Sequence, residues 1–420
     1  MTRREAIKRW DCEREVTTVC SKLIRFPSEN PPCDVTEIAA YILERLHRAG
    51  IPARQLSAAP GMTSVVGELD FGPGPCLVVN GHMDVVPAGD RERWAFDPFG
   101  GEVREGYVLG RGASDMKGGL AALLVALSKA VRWDSLRGKV LFMAVPDEET
   151  GGWYGTRWLL EQGFTGDACL IAEPSGINPT IGQKGALWLR AMTRGVPVHG
   201  SLSPLVGENA ILRMTQVIEA VYSLWGRPWT IPPEPRRLIS ETQAILREEG
   251  LEVQAEVLDH VTVNVGRISG GDKVNIVASR CEAEFDLRVP VGVPVGVVLD
   301  LLRQLVEERA GSGVEVTPLR DPIEANYTPP THPFVQLVLR IIREVAGDTS
   351  RPVLQWASSD ARFFRRHGIP TLQFGPADLQ GIHGYDERVA VAQLVQAARV
   401  YALLIHDYLS QGDGGGFRAA

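Results

Sequence analysis

The pattern of apolar and polar positions along the chain changes its period several times. Apolar side chains recur at helical spacing in residues 7–24, and a second helical pattern follows the loop SENPP and ends near residue 47. Beyond it, helical stretches such as residues 117–131 alternate with short apolar runs of strand length: CLVVN (76–80), VLFMAV (140–145), ACLIA (168–172) and TLQF (371–374). This alternation predicts an α/β fold with a mostly parallel central sheet and helices on both faces.

Polar groups follow each of these four runs at its carboxyl end. The segments are, in chain order, GHMD, PDEETGG, EPSG and GPADLQGIHG. Because ligands of open α/β sheets gather outside the carboxyl ends of the strands, we expect these segments to line one crevice. A fifth segment, LGRGASDMKGG, places Asp115 in a Gly-rich turn before the helix that begins near residue 117, and it can face the same crevice.

The middle of the chain lacks these strand-end acids but has its own helices, at 208–225 and 295–309, and its own strands: VTVNVGRI, CEAEFDLRVP and VEVTPLR. Since the run TLQF comes after it, the main sheet must be interrupted and then resumed. We therefore predict a main domain in two parts, 1–186 and 323–420, with an inserted domain at 187–322. The Gly-rich tail GDGGGFRAA is expected to be frayed.

Composition and charge exclude several classes of protein. The chain has 420 residues, and 44 Lys and Arg against 51 Asp and Glu give a net charge of −7 without a long basic block, which argues against a nucleic-acid partner. A hydrophobic content of 44% is too high for a disordered chain. No apolar run approaches the ~18 residues of a membrane span, so no membrane partner is expected.

The N-terminal segment and the cysteines indicate the compartment. The start, MTRREAIKRWDCEREV, is charged throughout and does not resemble a secretory signal, so we expect a cytoplasmic protein. The six cysteines are scattered without a CxxC pair, which is typical of reduced, structural thiols.

Seven residues in these segments have side chains suited to metal binding: His82, Asp84, Asp115, Glu148, Glu149, Glu173 and His383. Any one alone is more often a hydrogen-bonded loop residue than a ligand. Together, two histidines and several carboxylates can form two metal sites that share one bridging carboxylate, with the ions ~3.5–4 Å apart. Imidazole and carboxylate ligands without thiolate suit Zn²⁺ and also tolerate Co²⁺ or Mn²⁺.

The adjacent acids Glu148 and Glu149 can have different roles. Neighbouring side chains that leave a strand point in different directions, so one can bind metal while the other stays free. A free carboxylate beside a metal-bound water can act first as general base and then as general acid. The alternative is a solvated acidic pair in a loop.

The strings GHMDVVPAGD, WAFDPFGG, GRGASDMKGGLAA, PDEETGG, AEPS, GQKG and GIHGYDE, in this order, resemble the aminoacylase, acetylornithine deacetylase and succinyl-diaminopimelate desuccinylase family of co-catalytic zinc hydrolases. The resemblance covers nearly the whole chain. It implies two Zn²⁺ per chain, one held by His82, Asp115 and Glu173 and the other by Asp115, Glu149 and His383. It also implies that Glu148 is the general base and that Asp84 orients His82, although Asp84 can instead be a loop cap.

The same family implies roles for residues of the inserted domain, which is a lid and dimerisation domain in relatives. His199 corresponds to a lid histidine that stabilises the oxyanion of the substrate carbonyl, and Asn275 and Arg288 to residues that bind the substrate carboxylate. As a bare residue, His199 would more often be an ordinary surface histidine, and Arg288, on an alternating strand, can equally be an exposed residue. Asp360, in SSDARFF, corresponds to a substrate-site segment, with a helix N-cap as the simpler explanation.

Family likeness further implies a homodimer in which His199 completes the active site of the other subunit. Helix positions in the inserted domain are apolar and can either cover their own sheet or meet a second subunit: Ile211, Met214, Ile218 and Val221. Two departures from the family pattern, Val198 before the lid histidine and Ile382 before the last metal histidine, leave the subfamily and the acyl group open.

The leading hypothesis is a di-zinc amidohydrolase that cleaves the acyl amide of a small N-acylated amino acid, with a water bridging the metals as the nucleophile. The alternative enzyme is a di- or exopeptidase with the same centre, because a short peptide is also an amide that bears a carboxylate. A non-catalytic scaffold would be favoured by a missing ligand or base, and none is missing. A nucleotide-dependent enzyme would need phosphate-cradling glycines where GASDMKGG has Ser-Asp.

Overall fold

The computed structural model describes residues 1–410, which form two compact units. The first unit comprises Met1–Ile181, Thr328–Pro352 and the chain from Ser359 onward, and the second comprises Gly182–Tyr327 and Val353–Ser358. The tail GDGGGFRAA, for which fraying was expected, lies outside the described residues.

The helices are, in chain order, α1 (Arg3–Lys8), α2 (Glu13–Ile24), α3 (Thr36–Arg48), α4 (Gly118–Ala130), α5 (Thr156–Glu161), α6 (Ala210–Tyr222), α7 (Pro233–Glu248), α8 (Glu252–Glu256), α9 (Val295–Ala310), α10 (Pro333–Ala346), α11 (Ala361–Arg366) and α12 (Val391–Leu409). The strands are β1 (Ala53–Ala59), β2 (Met62–Asp70), β3 (Cys76–His82), β4 (Val103–Arg104), β5 (Tyr107–Leu109), β6 (Lys139–Val145), β7 (Ala168–Ile171), β8 (Thr180–Gln183), β9 (Gly185–Arg194), β10 (Thr262–Gly270), β11 (Arg280–Val289), β12 (Glu315–Pro318), β13 (Asn326–Tyr327), β14 (Val353–Gln355), β15 (Thr371–Gln373) and β16 (Arg388–Ala390).

The main sheet of the first unit has the order β1-β2-β6-β3-β7-β15, and β15 also pairs with Thr180 at the start of β8. The central strands β6, β3, β7 and β15 are parallel, whereas β1 and β2 form an antiparallel hairpin at one edge. Strand β3 is buried along almost its whole length, which is typical of a parallel strand covered on both faces. The predicted α/β fold is therefore confirmed.

Helices cover both faces of this sheet. Val78 of β3 belongs to a core that includes Leu159 of α5 and Phe363 near the start of α11. Gly81 is three residues from Val78, so the two positions face opposite sides of β3. A Cβ added at Gly81 would meet Leu120 of α4, so α4 covers the other face of the sheet. On that face α4 also packs against α2 and α12.

Helix α4 is apolar and buried except at Ser128 and Lys129 near its C-terminus, as expected for a helix in the core. Its second residue, Gly119, touches the main chain that leaves β7, because a Cβ at this position would overlap the carbonyl oxygen of Ala172. The absence of a side chain thus brings the helix N-terminus directly against the strand end that precedes Glu173.

The second unit contains an antiparallel sheet of order β10-β11-β9-β12, with α6 and α9 packed together and against it. Met214 and Val221 of α6 are fully buried, so this part of the helix covers its own unit, whereas Ile211 is 38% exposed. A separate helical pair, α7 and α8, packs beside β14, where Thr242 accepts a hydrogen bond from the Leu354 N–H at 3.1 Å.

The helices and the cysteines also bear on the class of protein. Among residues 1–410, no helix has both the length and the apolar character needed to cross a bilayer. The six cysteines are free thiols, and all but Cys76 are buried, which agrees with a structural role.

Candidate metal centre

Most of the predicted metal-binding residues stand at the carboxyl ends of parallel strands in the first unit. His82 is the last residue of β3, Glu148 and Glu149 begin a short 3-10 turn after β6, and Glu173 follows β7 by two residues. These strands are neighbours in the order β6-β3-β7, so their ends meet at one edge of the sheet.

Asp115 and His383 reach this edge from irregular backbone. Asp115 lies in a turn between Gly112 and α4 and has extended angles, φ −119° and ψ 95°. His383 lies in the loop between β15 and β16 with φ 62°, in the left-handed region that residues other than glycine rarely adopt. Unusual backbone of this kind is found where surrounding structure holds a functional side chain in place.

Asp115 contacts both histidines, each with a different oxygen. His82 Nε2 lies 3.0 Å from Asp115 Oδ1, and His383 Nε2 lies 3.2 Å from Asp115 Oδ2. Glu149 Oε2 lies 3.3 Å from His383 Nε2, whereas Glu173 Oε1 lies 3.9 Å from His82 Nε2. The arrangement has a central carboxylate with one histidine and one glutamate on either side.

The donor atoms fit divalent cations. Ligand atoms of His82, Asp115 and Glu149 lie within 4.8 Å of one another, and so do those of His82, Glu148 and Glu173. Within the described part of the chain, the buried atoms Glu149 Oε1 and Glu173 Oε1 accept no hydrogen bond. Buried carboxylate oxygens without donors are costly, and a cation bound to them would remove that cost.

The electrostatics of the cluster also favour a positive counter-charge. Burial raises the pKa of Glu173 well above its usual value, and the charge of Asp115 adds to this rise although His82 opposes it. Hydrogen bonds to Asp115 and Glu149 raise the pKa of His383 to about 11. Several carboxylates that share a buried space are thus partly compensated by the two imidazoles, and divalent ions would complete this compensation.

Asp84 connects the first histidine with the two adjacent glutamates. Its carboxylate accepts the backbone N–H of Glu148 through Oδ1 and that of Glu149 through Oδ2, each at 3.2 Å. His82 Nδ1 lies 2.8 Å from the Asp84 carbonyl oxygen and 3.4 Å from its Oδ1. The fully buried Asp84 thus contacts the imidazole ring of His82 and also caps the loop that contains Glu148 and Glu149, so its capping role does not exclude a role in orienting His82.

Asn30 belongs to the same network and was not identified from the sequence, where SENPP was interpreted only as a loop. Its side-chain amide donates to Asp84 Oδ2 and to Thr150 Oγ1, both at 2.9 Å. Asn30 thereby links the loop that carries Asp84 to the turn that follows Glu149. The only signal in the sequence was a polar residue directly before two prolines, and such a signal does not identify a partner.

Glu148 and Glu149 face different partners, as the divergence of adjacent side chains predicts. Glu149 lies beside His383, and its side chain is only 6% exposed, which disagrees with a solvated pair. Glu148 lies with His82 and Glu173. Burial, together with the charge of Glu173, raises the pKa of Glu148 well above its usual value, so this carboxyl binds a proton readily.

Asp360 is buried beside the turn that follows these glutamates. It precedes α11, but its side chain makes no capping hydrogen bond to that helix. Instead its carboxylate lies where a Cβ at Gly152 would be. Nearby, Arg362 donates to the carbonyl oxygen of Gly151 at 2.6 Å, a contact that the sequence did not reveal.

The remaining predicted residues belong to the second unit. His199 is exposed, and Asn275 is its neighbour because Gly200 donates its N–H to the Asn275 carbonyl oxygen at 2.8 Å. The segment beside His199 leads into the start of β11 at Arg280, since Val277 donates its N–H to the carbonyl oxygen of Val198. Arg288 lies near the end of this strand, roughly 26 Å along it from Arg280. There it donates two hydrogen bonds to Asp286, at 2.8 and 2.9 Å. The structure thus brings Asn275 to His199 but places Arg288 elsewhere in this unit.

Comparison with known proteins gives a consistent result. The model of peptidase family M20/M25/M40 matches residues 78–407. A succinyl-diaminopimelate desuccinylase of Methylobacterium nodulans is 30% identical over 411 residues, which cover 92% of this chain and 94% of the relative. One of Methylocella silvestris is 28% identical over 417 residues, covering 95% and 99%.

Solved structures share the fold at lower sequence identity. An M20 family metallo-carboxypeptidase from Sulfolobus solfataricus superposes with a TM-score of 0.77 at 20% identity, covering 95% of this chain and 99% of that one. Human carnosine dipeptidase 1 gives a TM-score of 0.76 at 16% identity, covering 98% and 99%. At these identities the structural likeness concerns the fold alone.

Proposed function

We propose, from the premise that this chain belongs to peptidase family M20/M25/M40, that it is a two-metal deacylase acting on small N-acylated amino acids. As a member of that family it is a metal-dependent hydrolase of amide bonds. The observation that carries the proposal is the position of Asp115, whose two oxygens contact His82 and His383 separately. We assign the predicted catalytic domain (1–186 and 323–420) to the first unit and the predicted lid (187–322) to the second, although the second unit begins at Gly182, extends to Tyr327 and also includes Val353–Ser358.

The two ions are assigned to the ligand sets expected from the family. One set is His82, Asp115 and Glu173, and the other is Asp115, Glu149 and His383. The contacts of Asp115 and the hydrogen-bond-free oxygens of Glu149 and Glu173 support this division. Imidazole and carboxylate donors without thiolate favour Zn²⁺, with Co²⁺ or Mn²⁺ as substitutes.

Bound divalent ions supply positive charge that polarises the amide carbonyl and lowers the pKa of the attacking water. Glu148 takes the proton of that water and later delivers it to the leaving nitrogen. The raised pKa of its carboxyl, caused by burial and by the charge of Glu173, suits a group that must hold a proton between two steps. Asp84 keeps Glu148 in place through the backbone N–H of that residue.

His199 and a second subunit complete the proposal. We assign His199 to the substrate carbonyl of a partner subunit's site, as the family resemblance implies, and its exposure leaves it available for that role. Apolar side chains near it in the chain are uncovered, with Leu205 93% and Leu212 60% exposed. Strand β10 is moreover an edge strand of its sheet. A homodimer formed through this unit would cover both features.

A substrate panel separates the deacylase from the peptidase alternative. N-succinyl, N-acetyl and N-formyl amino acids and dipeptides would be incubated with the metal-loaded protein and ranked by kcat/KM. We expect an acyl amino acid to rank first, with N-succinyl compounds favoured because the similar curated relatives are named desuccinylases. Faster turnover of dipeptides would favour the peptidase, and hydrolysis of neither class would overturn the proposal.

The cytoplasm is the proposed compartment. Free thiols at all six cysteines are typical of proteins from a reducing environment.

A further inference from the structure

A buried ion pair lies between the two loops that carry Asp115 and His383. Arg111 donates to Glu387 Oε2 at 2.6 Å, and the two side chains are 3% and 0% exposed. Such a pair usually adds little to stability, since desolvation of both charges offsets their attraction. Its presence therefore needs another explanation, and neither residue has a role in the proposed chemistry.

The second oxygen of Glu387 holds the backbone at Asp115. Glu387 Oε1 accepts the N–H of Ser114 at 2.9 Å and the N–H of Asp115 at 3.1 Å. Charged acceptors make stronger hydrogen bonds than neutral ones, and two donors that converge on one oxygen fix the orientation of the peptide between them. Glu387 thus determines where the chain presents the Asp115 side chain.

Arg111 holds the other loop. One guanidinium nitrogen pairs with Glu387, and a second donates to the carbonyl oxygen of His383 at 3.3 Å. His383 has φ 62°, a conformation that costs roughly 1–3 kcal/mol unless neighbouring groups impose it. The planar guanidinium can make both contacts at once, which an ammonium on a flexible chain does less well.

The charge of the site explains why Glu387 is paired with Arg111. The centre already contains Asp84, Glu148, Glu149 and Glu173 besides Asp115, so an additional uncompensated carboxylate would be strongly disfavoured. Arg111 neutralises Glu387, and the clamp on the Asp115 backbone then adds no net charge to the site.

We propose that Arg111 and Glu387 are positioning residues that hold the backbone of Asp115 and His383 so that both side chains bind the same metal ion. The inference rests on the metal centre of the proposed function. It concerns mainly the ion assigned to Asp115, Glu149 and His383, because two of its three ligands are held by the pair. The other ion shares only Asp115 and has its remaining ligands, His82 and Glu173, at the ends of β3 and β7.

The test compares metal binding in two conservative variants, Glu387→Gln and Arg111→Lys, with the wild type. Affinities for two Zn²⁺ would be measured by competition with a chromophoric chelator, and the visible spectrum of the Co²⁺-loaded protein would report the geometry of each site. We expect the affinity for the ion assigned to Asp115, Glu149 and His383 to fall about 10–100-fold, the usual effect of losing a group that orients a ligand. The affinity for the other ion should fall less, because Asp115 is its only ligand held by the pair. The Co²⁺ band of the first of these sites should change as well.

Arg388→Gln is the matched control, since Arg388 adjoins Glu387 and its half-exposed side chain pairs with Asp378 at 3.1 Å. This variant should bind both ions as the wild type does. Wild-type affinities and Co²⁺ spectra in both conservative variants would overturn the inference even if their thermal stability fell, and so would equal weakening of the two ions. A wild-type protein without two binding sites would overturn the proposed function itself.

Discussion

The two carboxylate oxygens of Asp115 contact two different histidines. Asp115 can reach both because it lies in an irregular turn before α4 rather than in a helix or strand. The residue is partly buried and accepts hydrogen bonds from His82 and His383, which lower its pKa more than desolvation raises it. An ionised Asp115 is therefore the stable form in the folded protein. The charge of a single residue in this site is therefore determined by the groups around it, which shift its pKa from the ordinary value.

Substitution of the two adjacent glutamates should have different effects. Glu148→Ala should lower kcat about 10²–10⁴-fold and still bind two ions, because a general base is removed. Glu149→Ala should lose one ion, because its carboxylate lies against His383. Metal content and turnover would be measured for both variants, with the exposed Glu161→Ala as control. Equal metal loss in both variants, or near-normal turnover of Glu148→Ala, would contradict the assignment.

Lys184, from the GQKG segment, allows a prediction about pH. Its ammonium is buried and donates to the carbonyl oxygens of Val257 and His260, at 2.6 and 2.8 Å, and burial lowers its pKa from 10.5 to about 7. Between pH 7 and 10.5 the unfolded state consequently binds more protons than the folded state, so this residue makes stability rise with pH in that window.

We expect the unfolding free energy of the wild type minus that of Lys184→Met to increase from pH 7 to pH 10, by up to about 1.4 kcal/mol per pH unit. Denaturant unfolding at several pH values provides the measurement. Lys273→Met, at an exposed lysine of the same unit, is the control and should follow the wild-type curve. A constant difference for Lys184→Met would contradict the prediction.

Single residues were predictable from the sequence where a motif placed them after a strand, as with His82 and Glu173. Asn30, Arg111 and Glu387 were not, because their partners are distant in the chain. Asn30 is 54 positions from Asp84, and Arg111 is 276 positions from Glu387. One sequence contains no signal for such contacts, since any buried polar residue satisfies its hydrogen bonds somewhere.

At the scale of elements, continuous apolar runs were the reliable signal. The runs at 76–80 and 140–145 became β3 and β6, and the helix expected at 117–131 is α4. The hairpin of β1 and β2 was not predicted, because β1 is half-exposed and has the mixed sequence ARQLSAA without an apolar run. Edge strands of this kind are stabilised by pairing rather than by burial, and pairing is not visible in one sequence.

The close approach of α4 to β7 makes Gly119→Ala informative. The new methyl group would overlap the carbonyl oxygen of Ala172, so the helix must shift, and we expect a loss of about 1–3 kcal/mol in unfolding free energy. Metal affinity should also fall because the displaced strand end precedes Glu173. Urea denaturation and metal titration would measure the two effects.

Gly296→Ala is the matched control, because Gly296 is also the second residue of a helix, α9, but has no atom within 4 Å of the added Cβ. This change should raise stability by about 0.5–1 kcal/mol through the better helix propensity of alanine. Similar effects of the two substitutions would show that the contact between α4 and Ala172 has no energetic importance.

At the scale of the whole molecule, the two units divide the predicted functional groups between them. The first contains every residue assigned to metal binding and proton transfer, from His82 to His383. The second contains His199 and Asn275 and the most exposed apolar side chains, such as Leu205. Family resemblance predicted this division of roles, whereas periodicity alone could not decide whether the inserted segment covers itself or meets a second subunit. Helix α6 covers its own unit with the buried Met214 and leaves Ile211 exposed.

Assembly can be tested by complementation between two inactive proteins. In the proposed homodimer, His199 of one subunit serves the site that contains Glu148 of the other. His199→Ala and Glu148→Ala should each be inactive alone. After subunit exchange, a mixed dimer would have one site in which both residues are native and one in which both are absent. Random reassortment should then restore up to about a quarter of the wild-type activity.

Turnover would be measured before and after subunit exchange. Native mass spectrometry of differently tagged chains would give the proportion of mixed dimers. A mixture of Glu148→Ala with Glu149→Ala is the control, and it should stay inactive because both changes affect the same chain's metal centre and neither site of its mixed dimer is whole. Mixed dimers without recovery in the first mixture would show that His199 serves its own chain or has no part in catalysis. Recovery would show that the exposed face of the second unit meets a second copy, and that catalysis needs both.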